Sequence, residues 1–180
     1  MRNIEARGKI KDIKSTRDTA EKIGAIFKGY YHAIDIILKP KNEDPEKGII
    51  DLRIFDVNNR ATKSYIVTQK VAIWSDKSKK DKVILKKYFD TLGEMTNFII
   101  ERYGYIFNDR CEYSREGWEY HMEKGDIFIE YIEMLGPTIE IEADNKENLE
   151  ELFQLFDVTE RFSESTPEIM RKLISRYNQQ

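Results

Sequence analysis

Alternation is the first pattern along this chain. In "NIEARGKI", Ile4, Ala6, Gly8 and Ile10 fall on one face and Asn3, Glu5, Arg7 and Lys9 on the other, which predicts a strand with one apolar and one polar side. The period then lengthens. "STRDTAEKIGAIFKG" sets Ala20, Ile23, Ile26 and Phe27 on one helical stripe, with Ser15 or Thr16 as N-cap and Gly29 as stop. Three strand-like runs follow, "YYHAIDIILK", "GIIDLRIFDV" and "KSYIVTQKVAIW", divided by the turn-forming clusters "PKNEDPEKG" and "NNRAT". "SDKSKKDK" reads as a solvated basic loop. Helical spacing returns at Leu92, Met95, Phe98 and Ile99, with Gly104 as C-cap. "CEYSREGWEYHM", "GDIFIEYIEML" and "TIEIEAD" are three further strand-like runs. The remainder is helical: Leu149, Leu152, Phe153 and Phe156 form one stripe, and Thr166 caps a second helix with Pro167 in its first turn.

This mixed order of strands and about four helices predicts an α+β domain on a strongly curved antiparallel sheet or barrel. At 180 residues, one domain spanning 1–180 is expected. The strand faces sharpen the picture. Glu140 and Glu142 share a face with Thr138 and Asp144, Glu130 follows Asp126 and Phe128, Asp51 pairs with Arg53, and Thr68 with Lys70. A polar inner surface under a helix-covered apolar layer produces this pattern, and so does a plain solvent-facing sheet.

Composition narrows the function classes. Thirty basic residues against thirty-three acidic ones leave a net charge of -3, which is not the footprint of a duplex nucleic-acid binder. Cys111 is the one cysteine, so neither an internal disulfide nor a cysteine metal cluster can form, and a cytoplasmic protein is expected. No apolar run reaches the roughly twenty residues a membrane-spanning helix needs, so no membrane partner is expected. His32 and His121 lack ligand spacing, and Trp74 and Trp118 read as packing residues.

"EYIEMLGPTIEIEAD" resembles the late signature of the CYTH superfamily, the triphosphate tunnel metalloenzymes that include class IV adenylyl cyclases and thiamine triphosphatases. Its places fall on Glu130, Gly136, Glu140 and Glu142. "NIEARGKIKD" is similar to the family's ExExK strand, with Glu5 at the second acid, Arg7 at the lysine and Lys9 at a further basic place. "DLRIF" is similar to its LRxR strand and keeps Arg53, "VTQK" looks like its lysine strand and keeps Lys70, and "YSREGWEY" offers Arg115. The chain departs from the pattern at Asn3, which stands at the first acid, at Phe55, which stands at the second arginine of LRxR, and at Gly117, which stands at a basic place.

The resemblance implies a tunnel-like antiparallel β-barrel of about eight strands with helices packed outside. It also implies Mg²⁺ or Mn²⁺ on Glu130, Glu140 and Glu142, with Glu5 as a further ligand. Glu5, Arg7 and Lys70 would act at the reacting phosphate, and Lys9, Arg53 and Arg115 would bind substrate. A triphosphate carries about four negative charges and calls for several cations on the wall plus a divalent ion. The partner is then an organic triphosphate or polyphosphate, and a homodimer suits the likeness to the cyclases. Cyclisation, hydrolysis, phosphate binding without turnover and a protein-interaction role on the same scaffold all remain open.

Overall fold

The computed structural model describes residues 4–40, 49–57, 63–75, 78–104 and 107–177. In chain order its elements are β1 (Ile4–Ile10), α1 (Ile13–Lys22), β2 (Ile26–Pro40), β3 (Ile49–Val57), β4 (Ser64–Ser75), β5 (Ser78–Phe89), α2 (Leu92–Tyr103), β6 (Phe107–Met122), β7 (Gly125–Ile132), β8 (Gly136–Ala143), α3 (Lys146–Gln154), β9 (Val158–Arg161) and α4 (Thr166–Tyr177). The expected α+β class on antiparallel strands holds. Among the described residues there are nine strands, in the order β5-β4-β3-β2-β6-β7-β8-β1-β9. The chain divides into two compact units, Met1–His32 with Arg115–Gln180, and Ala33–Ser114.

In the first unit, β1 runs antiparallel to β8, β8 to β7 and β7 to β6. Because side chains alternate, the register sorts the sheet into two chemically different faces. On one, Ile127, Ile129, Ile139, Ile141 and Tyr120 are wholly buried under Ala20 of α1 and Leu149, Leu152 and Phe153 of α3. Truncating any of these isoleucines to Ala leaves a cavity that costs about 2–5 kcal/mol. The other face holds the charged residues described below. β9 closes against β1 at Gly8, where a Cβ would stand 2.4 Å from Val158 Cγ1 and 2.9 Å from the Glu160 carbonyl. Only glycine allows that approach.

Two expectations for this unit change. The first helix is capped by Asp12, whose side chain accepts from the Ser15 amide at 2.7 Å, rather than by Ser15 or Thr16. It stops before Gly24, which has φ 83°, rather than at Gly29, so Ile26 and Phe27 begin β2. Positive φ at Gly24 breaks the helix five residues earlier than the apolar stripe alone implies. β9 was not expected as a strand, since four residues are too few to show alternation.

In the second unit, β3, β4 and β5 form an antiparallel meander whose apolar side, with Ile50, Leu52 and Val67, packs on Met95 and Ile99 of α2. α2 opens on a capping box in which Thr91 and Glu94 satisfy each other's backbone amides, and it ends at Gly104 as its sequence predicts. The basic segment read as a loop is a correction: Ser78–Lys82 is strand, paired with Val71–Ser75 of β4. β5 ends the series, and lysines are what an end strand tolerates, while a lysine run hides the alternation that would mark it.

Candidate functional site

The β1/β8/β7/β6 register stacks the polar side chains of the first unit in rows across the strands. Glu5 lies opposite Glu142, which lies opposite Asp126. Arg7 lies opposite Glu140. Lys9 lies opposite Thr138, which lies opposite Glu130, which lies opposite Gly117. Like charges directly opposite each other destabilise a sheet, so a row of three carboxylates calls for positive charge near it.

Glu130 is wholly buried and accepts from three donors. Arg115 reaches its Oε1 at 2.6 Å, the Tyr31 hydroxyl donates to the same oxygen, and Arg7 donates to Oε2. Burial alone would push this carboxyl up; the Arg115 and Arg7 charges, with the Tyr31 hydroxyl, outweigh it and hold the group at about 2. Burial and then the Glu130 charge raise the Tyr31 phenol well above its ordinary range, so Tyr31 is a fixed donor and not a base at neutral pH. Arg7 is 8% exposed. One of its terminal nitrogens serves Glu130 and, at 3.0 Å, Thr138 Oγ1; the other serves Glu140. Its Nε is buried and has no hydrogen-bond partner among the described residues.

Glu5, Glu140 and Glu142 form a second group, in which one carboxylate oxygen from each lies within 4.8 Å of the others. The donor set is all oxygen and hard, the set that Mg²⁺ or Mn²⁺ takes, with no histidine or cysteine to favour zinc or copper. Farther along the face, His121 Nδ1 stands 2.6 Å from Asp126 Oδ1. Of the residues singled out in the sequence, Glu5, Arg7, Lys9, Arg115, Glu130, Glu140 and Glu142 therefore share one face of the first unit. Lys9 is exposed there. Asn3 lies outside the described residues.

Arg53 and Lys70 belong to the second unit. Arg53 Nε donates to the buried Asp35 at 2.6 Å and its NH2 to Asp51 at 3.2 Å. Lys70 is half-buried opposite Ile49. Arg53 and Phe55 line a cavity of about 340 Å³ with Ser64, Ile66, Lys86 and Tyr88.

Sequence reasoning missed Tyr31 and the role of Gly117. A Cβ at Gly117 would lie 2.6 Å from Tyr31 Oη and 3.0 Å from Glu130 Cγ, so the missing side chain is the space through which the phenol reaches the acid. Glycine on a strand is a sequence signal for such close approach, though it does not say what approaches. Gly117→Ala is expected to push Tyr31 off Glu130. The cost of about 1–3 kcal/mol lowers the melting temperature by roughly 2–12 °C in a chain of this size, and an unchanged melting curve refutes the contact.

The chain matches no family model and no curated protein sequence. Solved structures do match. A Pyrococcus horikoshii protein superposes with a TM-score of 0.72 at 22% identity, over 97% of this chain and 99% of the other. A candidate adenylate cyclase from Vibrio parahaemolyticus gives 0.62 at 14% identity, over 97% and 98%. A Hippeastrum candidate adenylyl cyclase, described as having a dominant triphosphatase activity, gives 0.61 at 12% identity, over 94% and 95%. The chain thus shares the fold of these structures.

Proposed function

We propose that this protein is a divalent-metal-dependent enzyme acting on a nucleoside or other organic triphosphate, by hydrolysis or cyclisation. The observation that carries the reading is the convergence of Glu5, Glu140 and Glu142 within 4.8 Å on a face where Arg7 contacts Glu140 directly. Glu5, Glu140 and Glu142 would hold Mg²⁺ or Mn²⁺, which would supply charge neutralisation at the phosphate oxygens. Arg7 and Lys9 would bind phosphate oxygens, and Glu130 would keep Arg7 and Arg115 in place as the anion enters. Arg7 presents a planar fork where the family pattern has a lysine, which suits two-point contact with phosphate. The likeness to structures named as adenylate cyclases and to one with triphosphatase activity supports this reading.

A second reading is a module that binds a phosphorylated ligand or polyphosphate without turning it over. The capture of both Arg7 and Arg115 by Glu130 favours it, since cations already neutralised stabilise a transition state less. One assay separates the two. Phosphate, pyrophosphate and cyclic nucleotide are measured with ATP, GTP, thiamine triphosphate and tripolyphosphate, with Mg²⁺, with Mn²⁺ and with chelator. Metal-dependent product is expected; binding without product selects the module, and neither binding nor product rejects both.

A further inference from the structure

Arg7 belongs to two groups at once. Its guanidinium is held by Glu130 and Thr138 through one nitrogen, and through the other by Glu140, one of the three clustered carboxylates. A cation seated on Glu5, Glu140 and Glu142 draws on the same carboxylate that Arg7 occupies. Arg7 is more than nine-tenths buried, and its Nε has no partner among the described residues, a donor that an anion oxygen would satisfy.

Resting on the metal reading above, we propose that Arg7 is a built-in competitor for the metal cluster. With no divalent ion present it caps Glu140, and a divalent ion that takes Glu140 releases that nitrogen of Arg7 to a phosphate oxygen. Metal and triphosphate therefore bind with positive coupling through one side chain, and by linkage each tightens the other to the same degree. Glu130 makes this switch local: it retains the rest of the guanidinium, so release requires no departure of Arg7 from its buried place. A lysine is not equivalent: its single ammonium has no second, rigidly placed nitrogen to offer Glu140 once Glu130 holds it.

The test reads binding, not turnover. Mn²⁺ alone is titrated into wild-type protein and Arg7→Lys, following the loss of the free-ion electron paramagnetic resonance signal. Arg7→Lys keeps the charge against Glu130 and is expected to fold, and it should bind Mn²⁺ about tenfold more tightly, equivalent to about 1.4 kcal/mol. In the complementary arm, calorimetry in chelator follows tripolyphosphate binding to wild type, Glu140→Gln and Glu5→Gln. Glu140→Gln frees Arg7 without metal and should bind the anion more tightly than Glu5→Gln, which removes one charge from the same cluster. Equal gains in the two glutamine variants, or Mn²⁺ binding to Arg7→Lys no tighter than to wild type, overturn the switch and leave the metal reading standing. Mn²⁺ binding to neither wild type nor Arg7→Lys overturns both.

Discussion

Replacing Glu130 by Gln should cost about 3–5 kcal/mol at neutral pH, because it leaves Arg7 and Arg115 buried without their shared counter-charge. For a chain of this length that is a fall of roughly 6–20 °C in melting temperature. The loss should also depend on pH in one direction. The Glu130 carboxyl moves from 4.5 down to about 2 on folding, so the folded state holds fewer protons there than the unfolded chain. The resulting stabilisation is fully present above pH 4.5 and is lost as pH falls through 4.5 toward 2. A shift of that size corresponds to about 3 kcal/mol. Glu130→Gln lacks this dependence, so the gap between wild type and variant should narrow between pH 5 and pH 3. Urea unfolding at stepped pH measures it, and a gap equally wide at pH 3 and pH 7 would mean that the carboxylate is not the group that matters.

Glu140→Ala with Glu142→Ala should abolish both metal binding and any metal-dependent turnover, with at least about a hundredfold loss of rate. Wild-type protein with Mn²⁺ at a hundred times its dissociation constant gains about 2.7 kcal/mol, or roughly 5–10 °C. The double variant should show no shift. Its metal-free melting temperature should stay close to wild type, because the substitution also relieves the repulsion between Glu142 and its neighbours Glu5 and Asp126, while Glu130 still holds Arg7. That pairing of outcomes separates loss of a ligand from loss of the fold. A variant that keeps the metal shift puts the ion elsewhere, and one that melts far below wild type makes the acids structural.

The faces of the site were legible in the sequence because period-two alternation is a local property. Glu5 with Arg7, and Glu140 with Glu142, can each be assigned to one side of a strand from a handful of residues. What brings the two strands together is the ladder register, and no single strand carries it. The same limit hid the environment of Glu130. Its surroundings come from β1, β2 and β6, so a residue that looks like one more acid on a strand is the wholly buried centre of an ion network. Tyr31 gave no signal at all, since an aromatic on a strand is ordinary, and only the empty space at Gly117 shows why this tyrosine reaches the acid. The misplaced helix end at Gly29 had another cause: the apolar stripe continues past the break, and Gly24 overrides it.

Arg7 and Glu130 are 123 residues apart in the chain, and synthesis takes that interval literally. At 5–20 residues per second, roughly 6–25 s pass between the emergence of β1 and that of its partner acid. For that time β1 has neither β8 nor β9 to pair with. Its hydrogen-bonding groups and its unneutralised arginine are exposed to other nascent chains. The elements of Ala33–Ser114 are complete meanwhile, since every pairing among β3, β4 and β5 is between neighbours in sequence. Folding on the ribosome should therefore be staged, with the meander first and the charged face last.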